Sequence, residues 1–258
     1  MFQVADCRSL PFPDDHFDLV FCSPPYESQR TYGIDFNLRG QDWVNWAMEC
    51  YSECLRVCKG LVCWVVEGQT RQFEYSATPF RLMIALQDAG FHIRKPPIYQ
   101  RYGTPGSGGP DWLRNDYEPI ICAQKHKGRL PWSDNTAAGW EPKYKTGRPV
   151  TARTKNGRRQ RGKYFDVDKA NPGNLVSGSN SGGHLGHELA HQNEAPMPQW
   201  LAAFFVQSFC PPGGRVLDPF SGSGTTVDAA YENGRLGFGT DIRESQVSLS
   251  RKRMAAPA

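Results

Sequence analysis

Apolar positions along the 258 residues fall into short runs of two kinds. "FDLVFC", Phe17 to Cys22, is apolar almost throughout and short enough for a buried strand. It stops at Ser23-Pro24-Pro25-Tyr26, where two residues without backbone donors can continue neither a central strand nor a helix interior. Trp43, Trp46, Ala47, Cys50, Cys54, Val57 and Cys58 then follow helical spacing, and Lys59-Gly60 reads as the end of that helix. "LVCWVV", Leu61 to Val66, is the next expected strand. Thr78-Pro79 reads as an N-cap and first-turn pair for a helix over Phe80 to Ala89 that Gly90 stops. Strands are expected around Phe91 to Ile93, Ile98 to Arg101 and Pro119 to Ala123, with the glycine-rich "YGTPGSGGPDW" as a long loop over a site between the last two.

From Lys125 to about His191 the periodicity disappears, and it resumes with the apolar helix "QWLAAFFVQSF". The strand "RVLD" ends at Asp218, a turn carries Gly222 and Gly224, and Thr225-Thr226 opens a helix to about Asn233. A further strand, "LGFGTD", ends at Asp241. This order describes a βαβ unit in which glycines let backbone approach a ligand, with an acid 19 residues beyond Gly222 placed for ribose hydroxyls. It is neither G-x-G-x-x-G nor a G-K-[ST] phosphate loop. Asp218 would repel a pyrophosphate and suits a ligand bearing a cation.

Charge changes the picture of the aperiodic stretch. Lys125 to Lys169 holds 13 Lys and Arg against 4 Asp and Glu, so it carries +9, while the rest of the chain carries 17 − 22 = −5. Trp132, Trp140, Tyr144, Tyr164 and Phe165 are interleaved there, a mixture that suits phosphates and bases. Lys143, Lys145, Arg148, Arg153, Lys155, Arg158, Arg159, Arg161 and Lys163 are the cations expected to contact a nucleic acid. No run approaches the ~18 apolar residues of a membrane span, and the first residues lack a signal-peptide pattern, so an intracellular protein is expected. The eight cysteines contain no C-x-x-C pair; Cys50, Cys54 and Cys58 share a helical face, where reduced thiols pack as small apolar groups. "HELAH", His187 to His191, matches H-E-x-x-H in letters, but no third ligand accompanies it and no metal site is expected.

"SPPY" followed by "DPFSGSGTT" resembles the catalytic motif and cofactor loop of amino-methylating DNA methyltransferases, in the permuted order called the beta class. "VADCRSLPFPDDHFDLVFCSPPY", "CLRVCKGLVCWVV", "DYEPIICAQK" and "NEAPMPQWL" are similar to that family's other blocks, although "RVCKG" lacks its usual proline and second glycine, and Asp241 stands where Glu is common. The resemblance implies an α/β, Rossmann-like fold with a mostly parallel seven-stranded sheet. It divides the chain into a catalytic part over 1–123, a basic target-recognition insertion over 124–190 and a cofactor-binding part over 191–258. S-adenosylmethionine would be held by Asp6, Cys7, Asp218, Pro219, Phe220, Gly222, Gly224, Thr225 and Asp241, with "NEAPMP" over its methionine end.

The same resemblance assigns catalysis to Ser23, Pro24, Pro25 and Tyr26. Ser23 Oγ and the Pro24 carbonyl would accept the hydrogens of an exocyclic amine, and Tyr26 would stack on a base swung out of double-stranded DNA. Serine at the first position usually accompanies cytosine N4 methylation in that family, and Asp or Asn adenine N6 methylation. C5 methylation needs a Pro-Cys nucleophile, and no proline here precedes a cysteine. The remaining alternatives are an adenine N6 enzyme, methylation of RNA or protein amines, and an inactive DNA-binding relative. A cytoplasmic, nucleoid-associated enzyme of bacterial or phage origin is expected, of restriction-modification type, as monomer or homodimer.

Overall fold

A computed structural model describes residues 1–27, 36–102, 108–143, 149–163, 167–179 and 185–255, with backbone alone at 149–151 and 159–163. In chain order the elements are β1 (Phe2–Val4), β2 (Phe17–Cys22), α1 (Gly40–Val57), β3 (Cys58–Val65), β4 (Thr70–Arg71), β5 (Glu74–Tyr75), α2 (Thr78–Asp88), β6 (His92–Ile93) and β7 (Ile98–Tyr102). They continue with β8 (Tyr117–Gln124), β9 (Pro149–Arg153), β10 (Arg159–Lys163), β11 (Leu175–Ser179), α3 (Gln199–Phe209), β12 (Arg215–Asp218), α4 (Thr225–Glu232), β13 (Leu236–Asp241) and α5 (Glu244–Ala255).

The main sheet runs β1-β13-β12-β2-β3-β8-β7-β11, with β6 also on β8. Its first five strands are parallel, and β8 runs antiparallel to β3 and β7. Among the described residues nine strands form it, where the resemblance implied seven. One of them, β11, comes from the basic stretch read as aperiodic and pairs in parallel with β7.

Helices cover both faces, which is why the central strands read as continuous apolar runs. Trp43, Tyr51 and Leu55 of α1 and Leu82 and Leu86 of α2 pack with Val62, Trp64 and Val66 on one face. Leu201 and Phe205 of α3 and Ala229 and Ala230 of α4 pack with Leu61, Cys63 and Val65 on the other. All eight cysteines are buried and free, filling space in these layers.

Two expected boundaries differ. Lys59-Gly60 does not close α1: the helix ends at Val57 and passes without a loop into β3. The pairing with β2 shifts there, from Phe17↔Cys58 to Leu19↔Leu61, so the glycine belongs to a bulge. A Cβ on Gly60 would collide with the Asp18 carbonyl oxygen, so the position needs glycine for close approach and not for a helix stop. Thr78 is likewise inside α2, whose cap is Ala77 at φ 54; its hydroxyl donates to Glu27 at 2.9 Å.

Candidate active site

The carboxyl ends of the adjacent strands β2 and β12 meet at one cavity of about 1090 Å³. This exceeds the ~300–1,000 Å³ usual for one small ligand. It is where an open α/β sheet binds its ligands.

At the β2 end, Ser23, Pro24, Pro25 and Tyr26 all line the cavity. The turn is held from behind by Trp43 of α1, fully buried, whose indole N–H donates to the Pro25 carbonyl at 3.0 Å. The Pro24 carbonyl has no hydrogen-bond partner among the described residues. Ser23 Oγ donates to the Tyr26 hydroxyl at 3.2 Å, which donates to Glu118 Oε2 at 2.9 Å. Glu118 is buried on β8, and its other oxygen pairs with Arg101 of β7 at 2.9 Å. An ionised carboxylate only accepts, so Glu118 fixes the direction of the whole chain of hydrogen bonds. Ser23 thereby turns its hydrogen toward Tyr26 and keeps its lone pairs for the cavity. The nearby Tyr99 hydroxyl is buried without a partner among the described residues, and its pKa is pushed up by burial and then by the Glu118 charge.

At the β12 end, Pro219, Phe220, Gly222 and Asp241 line the same cavity, as do Asp6 and Cys7. Gly222 has φ 48, and a Cβ there would press on Asn193 Nδ2 at 2.7 Å. The expected covering segment therefore lies on the loop, and its Ala195, Pro196 and Met197 also line the cavity. Asp241 Oδ2 accepts the Gly222 N–H at 3.2 Å and Oδ1 the Arg243 N–H at 3.0 Å. The Phe220 ring stands edge-on to Trp64 at 5.5 Å and tilted against Trp46 at 5.9 Å.

Asp218, Gly224 and Thr225 stand behind this wall. Asp218 is buried and braces the loop by accepting the Phe220 N–H at 3.0 Å. Burial pushes its pKa up to about 7, against the Phe220 hydrogen bond, and the Asp241 charge adds to the rise. Gly224, at φ 84, caps α4 where a Cβ would crowd the Phe2 ring. Thr225 Oγ1 accepts from Arg253 at 3.0 Å. Asp6 is chelated by Arg8 at 2.6 Å, which holds its carboxyl below the usual range. The Cys7 thiol points into the core toward Cys50 and Cys54.

The basic stretch forms the antiparallel hairpin β9–β10. Arg153, Lys155 and Arg158 are exposed along it, and Arg159, Arg161 and Lys163 lie on its second strand. Lys143 is exposed outside it, and Lys145 and Arg148 lie outside the described residues. "HELAH" forms one short 3-10 turn in which His187 Nδ1 accepts the Leu189 N–H at 3.0 Å, so His187 serves as its cap.

None of Trp43, Glu118 and Arg101 is among the site residues expected from sequence. For Glu118 a signal existed: a lone acid at the start of the apolar run "EPIICA" is a buried charge in need of a partner.

The family model described as DNA methylase, covering N6 and N4 enzymes, matches residues 17–252. The orphan methyltransferase M.BamHII of Bacillus amyloliquefaciens is 27% identical over 270 residues, spanning 98% of this chain and 91% of that one. The DNA adenine methyltransferase YhdJ of Escherichia coli K12 is 25% identical over 252 residues, spanning 97% and 80%. The solved structure of the cytosine-N4-specific PvuII DNA methyltransferase superposes with a TM-score of 0.73 at 20% identity, covering 99% of this chain and 86% of that one.

Proposed function

Since the chain belongs to the N6/N4 family of DNA methylases, we propose that it methylates the N4 amine of a cytosine swung out of duplex DNA, with S-adenosylmethionine as donor. Bound there, the donor supplies an activated methyl group on a sulfonium. The β12 half of the cavity fits it. Phe220 and Trp46 offer an apolar wall for adenine, Asp241 ends β13 where ribose hydroxyls would lie, and the bare backbone at Gly222 allows close approach. A protein of the same fold from Thermus thermophilus, 22% identical with a TM-score of 0.63, has been solved in complex with S-adenosyl-L-methionine.

The observation that carries the reading is the acceptor pair at the β2 end. Ser23 Oγ, its hydrogen committed to Tyr26, and the Pro24 carbonyl, unpartnered among the described residues, would present two acceptors to one exocyclic amine. Accepting both N–H bonds turns the nitrogen lone pair out of conjugation and toward the methyl donor. Trp43 and the Glu118–Arg101 pair hold these acceptors before substrate arrives, so the gain is one of proximity and orientation. Arg153, Lys155 and Arg158 on the β9–β10 hairpin would track phosphates, which makes binding steeply salt-dependent.

Serine at the head of the motif favours cytosine over adenine. Digestion of DNA from cells expressing the protein, followed by mass spectrometry of the nucleosides, is expected to yield N4-methylcytosine. N6-methyladenine alone would replace the base assignment, and cofactor binding with no methylated product on any DNA would replace the enzyme with a binding protein.

A further inference from the structure

A two-residue loop, Gln72-Phe73, joins β4 to β5, because Arg71 pairs with Glu74 and Thr70 with Tyr75. Both loop residues are left-handed, at φ 47 and φ 67. Such turns ordinarily recruit Asn-Gly or Gly-Gly. With Ala77 at φ 54, this six-residue stretch holds three of the four non-glycine residues of positive φ among the described residues. Phenylalanine is a costly choice there, since its Cβ resents the conformation. Burial does not repay it, because the side chain is 69% exposed.

The hairpin is nonetheless firmly seated. Gln69 and Ser76 close its base through two hydrogen bonds of 3.0 Å, and the Tyr75 hydroxyl donates to the buried Glu67 at 2.9 Å. Ser76 Oγ donates at 2.5 Å to Glu27, the residue that follows Tyr26, so the finger is tied to the S-P-P-Y turn. Gln69 and Thr70 line the cavity, as does Trp112, whose ring meets Phe73 edge-on at 5.4 Å. Leu113 beside it is 92% exposed. Arg71 and Arg81 flank the finger around a shallow depression of about 310 Å³ and make no ion pair among the described residues.

We infer that Phe73 is a wedge that enters the DNA base stack as the target nucleotide leaves it, a role that rests on the DNA methylation proposed above. An extruded base leaves a gap whose neighbours have lost their stacking partner, and an inserted apolar side chain fills it. The rigid finger sets the ring beside the mouth of the cavity that receives the base. Arg71 on the finger and Arg81 on the adjoining first turns of α2 would take the flanking phosphates, so the finger and its neighbour together present a stacking ring and cations, the combination a duplex recognises.

The test compares methyl transfer to a duplex bearing the mapped target site, normally paired or with the target base mispaired. Phe73→Asn keeps a residue that tolerates the left-handed region while removing the ring. It is expected to lower kcat/KM on the paired duplex by about tenfold or more and on the mispaired one by less than about threefold, since a mispaired base is already partly extruded. Phe73→Leu is expected to retain most of both rates. The melting temperature of Phe73→Asn is expected at or above that of the wild type, because strain is relieved. Equal losses on both duplexes, or no loss on either, would overturn the wedge. So would a change in the sedimentation of the DNA-free variant, which would place the ring in a contact between protein copies. A wild-type protein that methylates no DNA would remove the underlying reading and the wedge with it, whereas an active wild type with an unaffected variant removes the wedge alone.

Discussion

Two buried carboxylates brace the two ends of the cavity, and they differ in one respect. Glu118, behind the S-P-P-Y turn, is neutralised by Arg101 at 2.9 Å. Asp218, behind the β12 loop, has no cation beside it among the described residues and is pushed by burial up to about 7. Glu118 therefore remains an acceptor and gives Ser23 a fixed orientation before any ligand arrives. Asp218 changes charge near neutral pH, and a cationic ligand nearby would hold it ionised. At the β2 end the buried carboxylate already has its cation, whereas at the β12 end the proposed cofactor would supply one.

The largest expected effect lies in the base half. Ser23→Ala removes the acceptor proposed for the reacting amine and is expected to lower kcat on the order of 10²-fold or more, with cofactor affinity nearly unchanged. Isothermal titration beside single-turnover rates separates the two, and weakened cofactor binding with normal turnover would reverse the assignment.

In the cofactor half, Asp218→Asn keeps the acceptor for the Phe220 N–H and deletes the charge, so cofactor binding is expected to weaken about tenfold at pH 8. Its pH dependence sharpens the contrast. From its ordinary 3.8 the group rises to about 7 in the folded protein, so between those values the folded state binds more protons than the unfolded. This carboxyl's contribution to the stability of the ligand-free protein therefore falls as pH rises from about 4 to 7 and is level above, while cofactor affinity increases through about 7. The Asn variant is expected to flatten both trends, as thermal melts and titrations across that range would show. Retention of both slopes would assign them to another group.

The smallest effect is expected for Glu118→Gln. An amide can donate as well as accept, so the direction of the Ser23–Tyr26 chain is no longer enforced, and kcat is expected to fall a few-fold to tenfold, about 1 kcal/mol, at unchanged cofactor affinity. Equal effects of this change on kcat and on cofactor affinity would erase the distinction between the two halves.

The parts of the fold legible from sequence were those whose signal is local. Phe17–Cys22, Gln199–Phe209, Arg215–Asp218 and Leu236–Asp241 stand where their apolar runs and flanking turns predicted. β1 is three residues long and carries no pattern, and β11, "LVSGS", is polar because it lies at the edge of the sheet. The S-P-P-Y turn was legible, but its supports were not: Trp43 lies 18 residues from Pro25 and Glu118 lies 92 from Tyr26, so only the folded chain joins them. The β12 loop looked in sequence like one set of ligand contacts. In three dimensions Phe220 and Gly222 line the cavity while Asp218 and Thr225 work behind it, a division that adjacent letters cannot express.

The bulge at Lys59-Gly60 makes this region sensitive to how many residues it has, more than to which. Because α1 enters β3 without a loop, the slack at this junction is the one extra residue of the bulge. Removing one of the two while Phe17↔Cys58 stays paired would flatten the bulge and leave Leu61 opposite Leu19, whereas removing both would advance every later residue of β3 by one place against β2 and exchange its two faces. Trp64 would then turn from Phe220 toward α3, and Val65 would take its place beneath the β12 loop. Among natural variants of this protein, segment lengths are expected to change freely in the polar connections, while the count from Trp43 to Trp64 stays constant.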